Sequence, residues 1–403
     1  MSTGAASTAA RQSRKSWTVV RGAPSPKRSW AYRIVAIFAV IAGSALYLVL
    51  TIHQPDILGV VLRESFATPA SLDEWVVLAT PFFLTALAVL IPLRVGLWNI
   101  GGEGQFFAGA WLATGFAFWL THLTGGLLIP GMLVAGALGG ALWAAIPTLA
   151  RVYLNVNEII STLMLNVVMV FWVAYWLVGS WQYGGSTGGT LQSRIIPTQA
   201  QLPLLHVAGG LDSGVIIALV LTALVGLYLH YSTFGYQSLL VGSGRAVALY
   251  TGVRIRRVQM ISMLAAGALA GVAGVLQLTG NSYQLTPGLS NNTGYLGIAV
   301  AILAGNSIWG LVVMSGLLST IMLVGQNAQM YGVSSDAPFI VIGVLLLLNA
   351  LGDALSQYRV MRLDRRDVSS EAEGDDLVEA EGHSTAGSGA PGLEMVRDAL
   401  EAG

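Results

Sequence analysis

Apolar residues in this chain come in long unbroken runs separated by short polar joints. A helix that crosses a bilayer needs about 20 such residues. Runs that meet or approach this length fall at about 34–52, 74–92, 105–122, 127–148, 158–179, 214–231, 259–279, 294–306, 308–325 and 338–355. The eighth is short, and only a turn at Gly125-Gly126 parts the third from the fourth. Continuous apolarity excludes a barrel, whose strands alternate. The pattern predicts an all-α polytopic membrane protein of about ten transmembrane helices.

Charge then orients the spans. The chain is 54% hydrophobic and 10% charged, with a mean hydropathy of +0.68, against about 25% charged in ordinary soluble domains. Between Ile34 and Leu355 there are nine acids and eight arginines. The first 33 residues carry seven Lys/Arg and no acid, while the stretch from Asp364 onward carries eleven acids, so the zero net charge averages unlike parts. Placing the N-terminus inside also puts Arg94, Arg151, Arg245, Arg254, Arg256, Arg257, Arg359, Arg362, Arg365 and Arg366 inside, and leaves Arg63 and Arg194 outside. Positive charge favours that side, so both termini are expected in the cytoplasm. No A-x-A cleavage site closes the first apolar run, which reads as a retained span. Three regions follow: a basic segment 1–33, a membrane domain 34–358, and an acidic tail 359–403 expected to be disordered.

Several chemistries find no support. Neither lysine, Lys15 or Lys27, follows a glycine, so no phosphate-binding P-loop is possible. The glycines at 101, 102 and 104 do not form a dinucleotide fingerprint. His53, His122, His206, His230 and His383 never pair at metal spacing, and there is no G-x-S-x-G elbow. Cysteine is absent, so disulfides and thiolate sites do not arise. No catalytic residue, metal site or nucleic-acid partner is expected.

The polar residues inside or beside the spans carry the functional question, because such groups are costly in a bilayer. "VGLWNIGGEGQF" places Asn99 and Glu103 four residues apart, with Gln105 beyond and glycines that permit a helix break. "NVNEIISTLMLN" puts Glu158, Thr162 and Asn166 on one helical stripe, with Asn157 and Ser161 beside it. "GVLQLTGNSYQ" places Gln277 and Asn281 four apart, and Asn306-Ser307 interrupts two apolar runs. Hydrogen bonds between helices are the alternative for each, an inner loop is a further one for the first, and Glu158 fits an interface position near Arg151. As a solute path, Asn99, Glu103, Gln105, Asn157, Ser161, Thr162, Asn166 and Gln277 suit a neutral, hydrogen-bonding cargo.

Two joints are long. The outer one, about 180–213, holds an amphipathic stretch (Ile195, Ile196, Leu202, Leu204, Leu205) expected to lie on the outer face. The inner one, about 232–258, contains "GSGRAVALYTGVRIRRVQ". Ala246, Leu249, Tyr250 and Val253 recur with helical spacing, and glycines punctuate the ends. Such a helix can lie on lipid headgroups or dock into a partner protein.

The order of "VGLWNIGGEGQFFAGAW", "NEIISTLMLN", "GSGRAVALYTGV" and "GYLGIAVAILAGN" resembles the inner-membrane permease subunits of ABC importers. More narrowly, it is similar to the branch that serves simple sugars and nucleosides, related to the ribose and branched-chain amino acid permeases. The resemblance covers about residues 34–358 and implies a type II ABC importer-like bundle in a bacterial plasma membrane. It implies ATPase subunits that hold the ATP and Mg, a second permease (in the nucleoside branch a different, related chain), an extracytoplasmic solute-binding protein, and no cofactor in this chain. Arg245, Ala246, Leu249, Tyr250, Gly252 and Val253 then match the ATPase-coupling loop. The rivals are an ion-coupled secondary transporter of a small polar solute, which needs no ATPase, and a channel or assembly scaffold.

Overall fold

The computed structural model describes residues 16–21, 26–52, 56–121, 125–183, 191–205, 211–305 and 307–363. The acidic tail from residue 364, Asn306 and four of the histidines lie outside the described residues. The chain divides into a bundle unit, residues 35–349, and a terminal unit of residues 1–34 and 350–403.

Each predicted apolar run becomes a helix: α1 Pro26–Ile52, α3 Pro69–Leu93, α4 Gly102–Trp119, α5 Gly125–Leu154, α6 Glu158–Val178, α7 Gly214–Tyr231, α10 Ile255–Gln277, α11 Thr293–Ala304, α12 Ile308–Gln329 and α13 Ala337–Ser356. Among the described residues, seven helices are long and apolar enough to cross a membrane. The runs Ala31–Leu46 and Thr293–Ala304 are shorter apolar helices, and α4 spans 18 residues with a polar first turn. Three further helices lie outside the predicted runs: α2 Ile57–Phe66, α8 Thr233–Ser243 and α9 Arg245–Tyr250.

Helix starts follow local chemistry. Thr68 and Ser71 form a capping box ahead of Pro69. Asn157, Ser232 and Ser307 accept backbone N–H bonds at the starts of α6, α8 and α12. The end of α10 widens into a π-turn at Leu278–Ser282, closed by Tyr283 in a left-handed conformation.

Among the seven helices long enough to cross, α3 is the most enclosed, buried without a break from Ala79 to Pro92 and packed on α7, α10, α11 and α12. Helices α4, α5 and α10 meet backbone to backbone. A methyl group on Gly109 would fall on the Gly271 backbone, one on Gly140 on the Gly267 carbonyl, and one on Gly274 on the Phe106 carbonyl. Small residues permit this approach, which is how helices associate where no hydrophobic effect separates them from lipid. Elsewhere large apolar side chains stay uncovered, including Phe171 and Tyr175 on α6 and Leu224 and Leu227 on α7.

The outer joint is anchored and does not simply rest on the surface. Ser193, Ile196 and Leu202 donate backbone N–H bonds to Leu285, Tyr283 and Thr279, all at 2.9 Å. Ile196 and Leu202 are buried, while Ile195 and Leu204 remain exposed. Asp212, itself buried, accepts from the Gly214 amide at 2.6 Å at the start of α7.

In the terminal unit, β1 Ser16–Arg21 pairs antiparallel with β2 Tyr358–Leu363, Ser16 opposite Leu363 and Arg21 opposite Tyr358. The sequence reading gives these stretches no strands and starts the disordered tail at 359, so the pairing extends order five residues into it. Arg33 and Asp353 form an ion pair at 3.4 Å within the same unit.

Candidate functional site

Two of the polar motifs, those of Asn99–Gln105 and Asn157–Asn166, meet where α3 ends, α4 and α11 begin, and α6 passes. After α3 the chain turns through Gly96, whose φ of 75° suits glycine, and reaches Asn99 in an irregular segment. The first residue of α4 is Gly102. Asn99 therefore precedes the helix, and its spacing of four from Glu103 does not put the two on one helical face. Proline explains the arrangement. Pro92 has no N–H for the carbonyl of Ala88, four residues back in α3. Asn99 Nδ2 supplies the missing donor at 3.1 Å. It also donates to Gln105 Oε1 at 2.8 Å, and Gln105 Nε2 returns a bond to Asn99 Oδ1 at 2.9 Å. Both amides are fully buried, so this pair closes on itself.

Asn166, the last residue of the predicted α6 stripe, reaches across to α4. Its Oδ1 accepts from the Gly104 amide at 2.9 Å, an N–H in the first turn of α4 that has no helical acceptor. Its Nδ2 donates to the Ile100 carbonyl at 2.9 Å and to the Tyr295 hydroxyl at 3.2 Å. Thr162 and Glu158 share the stripe and are buried. Thr162 Oγ1 donates to the Glu158 carbonyl at 2.6 Å, and the Glu158 carboxylate pairs with Arg151 at 3.1 Å.

Glu103 performs the same service for α11. Its Oε2 accepts from the Gly294 amide at 2.9 Å and its Oε1 from the Ser290 hydroxyl. The carboxylate thus lies at the positive end of two helices, its own and α11. The approach depends on glycine, since a methyl group on Gly294 would collide with the Glu103 backbone.

Around these caps opens a cleft of about 420 Å³. Its lining mixes polar residues (Glu103, Asn166, Ser290, Asn291, Asn292 and Tyr295) with apolar ones (Phe107, Val167, Val170 and Phe171). Asn291 and Asn292 hold left-handed φ values of 45° and 62°, a conformation asparagine tolerates. Both are exposed, and neither side-chain amide has a hydrogen-bond partner among the described residues. A lining that mixes polar and apolar side chains is what a neutral, partly apolar solute requires. A second groove of about 290 Å³, lined by α1, α2, α12 and α13, offers almost only apolar side chains and suits lipid tails.

Of the path residues expected from sequence, Glu103 and Asn166 reach this cleft. Asn99, Gln105 and Thr162 are buried in the caps described above. Asn157 caps α6, and Ser161 donates to the Asn157 carbonyl at 3.1 Å. Gln277 is half-buried in the last turn of α10. Sequence reasoning misses Ser290, Asn291, Asn292 and Tyr295. Their signal is the polar run "LSNNTGY" ahead of a short apolar helix.

The inner joint folds as two helices where one is expected. Ala248 is its buried anchor in α9, and Val253 is half-buried. Arg245, Ala246, Leu249, Tyr250 and Gly252 are exposed, Tyr250 at 95%. Gly252, with φ of 72°, turns the chain toward α10. Ala246, Leu249 and Tyr250 of the predicted apolar face are thus uncovered, while Val253 lies beyond the end of α9.

The family described as "Branched-chain amino acid transport system / permease component" matches residues 71–350. A glucose ABC transporter permease protein of Haloferax volcanii is 30% identical over 85% of this chain and 93% of its own length. A guanosine ABC transporter permease protein of Bacillus subtilis is 31% identical over 68% of this chain and 80% of its own. A nucleoside ABC transporter permease protein of Lactococcus lactis is 28% identical over 72% and 81%.

Proposed function

The chain belongs to the branched-chain amino acid transport system permease family, and from that premise we propose how it works as the permease subunit of an ATP-driven importer of nucleosides or simple sugars. The observation that carries the solute path is the meeting of Glu103, Asn166 and Tyr295 at one cleft. The solute passes along this mixed lining, with Asn291 and Asn292 offering free amides and Phe171 an apolar surface for a ring. Exposed α6 side chains beside the cleft support closure of the path by a second permease, a related chain.

Energy comes from outside the chain. ATP and Mg are held by ATPase subunits that dock on the uncovered face of α9. An extracytoplasmic binding protein delivers the solute to the opposite side. Both termini lie in the cytoplasm of a plasma-membrane protein, as the distribution of arginines favours.

The test is uptake of labelled nucleosides and sugars in a strain that lacks this permease and has no redundant system. Loss of uptake, restored by the gene and blocked by vanadate, is the expected result. Unchanged uptake overturns the reading. Restored uptake that is indifferent to vanadate and collapsed by a protonophore moves the protein to ion-coupled transport.

A further inference from the structure

A second polar-rimmed cleft among the described side chains lies away from the solute path. It opens to about 720 Å³ where α9 gives way to α10. Arg245, Arg254, Arg256 and Arg257 stand at its mouth, with Tyr153 from the end of α5. Arg256 lies 5.9 Å from the Tyr153 ring centre. None of the four guanidiniums has a carboxylate within 4.0 Å among the described residues, where the ion pairs are Arg33–Asp353 and Arg151–Glu158. The inner wall is apolar: Leu249, Val253, Ile255, Met260, Ile261 and Leu264.

Geometry separates the two halves along one helix. From Arg254 to Leu264 the chain rises about 15 Å at 1.5 Å per residue. The cations mark the end that meets the aqueous interface, and the apolar wall climbs into the span. A soluble partner can cover the cations but cannot follow the wall into hydrocarbon. A phospholipid satisfies both: its phosphate takes the guanidiniums, for which planar donor forks are suited, and an acyl chain lies along Met260, Ile261 and Leu264. Basic pockets between helices at the cytoplasmic surface hold anionic headgroups by this chemistry.

We infer that the cleft between α9 and α10 is a binding site for one anionic phospholipid. The lipid site borders the ATPase-docking face and shares Arg245, Leu249 and Val253 with it, while Ala246 and Tyr250 stay outside the cleft lining.

The experiment uses the full chain purified in detergent, stripped of lipid, and titrated with phosphatidylglycerol or phosphatidylcholine while adducts are counted by native mass spectrometry. One phosphatidylglycerol should be retained about tenfold or more above phosphatidylcholine, given roughly 1 kcal/mol per arginine near an anionic headgroup. Changing Arg254, Arg256 and Arg257 together to Gln should abolish that preference, and Arg63→Gln should leave it intact. Ile261→Trp keeps every cation and fills the wall, so it should also weaken retention, whereas a site for free phosphate would not respond. Equal retention of the two lipids by the unaltered protein, or an unchanged preference in the triple variant, overturns the inference. So does a triple variant that keeps the lipid and loses ATPase association, which would assign the arginines to the protein partner.

Discussion

Asn99 donates its side-chain amide to the carbonyl of Ala88 at 3.1 Å, the oxygen that Pro92 leaves without a helical donor. A polar side chain from the loop thus completes the hydrogen bonding of the helix before it. Asn99→Ala should cost about 1–3 kcal/mol, because the buried carbonyl and the Gln105 amide both lose a partner. Pro92→Ala in that background returns a backbone donor and should recover part of the loss. Thermal unfolding of the four proteins of this cycle reads the coupling, and strict additivity would refute the repair.

Glu103 holds α11 by its first turn. Glu103→Gln keeps an acceptor for the Gly294 amide but removes the charge at two helix starts, with an expected cost of about 0.5–2 kcal/mol. Glu103→Ala should cost more, since the Gly294 and Ser290 donors are then stranded. Equal melting temperatures for the Glu and Gln proteins would remove the electrostatic part of this account.

The positions of the helices are legible in the sequence because a bilayer demands long apolar runs and leaves little choice of register. The contacts among polar groups are not. Nothing in the spacing of Asn166 says that it will cap Gly104, or that Glu103 will serve Gly294 in α11, since each bond joins residues far apart in the chain. What sequence does offer is the glycine on each side of the approach, Gly101-Gly102 and Gly294. Helix α2 escapes notice for a different reason: it has only ten residues and carries Arg63 and Glu64.

Asn291 and Asn292 separate backbone from solute chemistry. Changing either to Gly preserves the left-handed turn and removes the amide. Uptake should fall several-fold while the melting temperature moves little. Wild-type uptake by the Asn291→Gly, Asn292→Gly double variant would take these amides off the path.

On the inner side, Ala246→Asp or Tyr250→Asp should abolish co-purification of the ATPase subunit. The exposed side chains are not needed for the fold, so the elution profile of the permease should stay unchanged. Full retention of the ATPase by both variants would end the docking assignment.

Asp212 lies outside the spans, and burial pushes its carboxyl above the ordinary carboxylate range, against the opposing bond from the Gly214 amide. A raised native value means the fold favours the protonated form. Its contribution is therefore most favourable below the ordinary aspartate range and declines as pH rises through the raised native value. Melting temperature measured across that window should fall with pH, and Asp212→Asn should flatten the slope. An identical slope in both proteins would place the pH dependence elsewhere.

The glycine seam has a mechanical meaning. Helices that touch through backbone atoms have no flexible side chains between them to absorb a displacement. A push delivered to α9 reaches α10 through the short turn at Gly252, crosses at Gly271 to Gly109, and arrives in α4, which carries Glu103. Under the proposed docking at α9, force applied there is geared to the cleft at Glu103 through a stiff lever of helices, and a single methyl group in the seam would put slack into the drive.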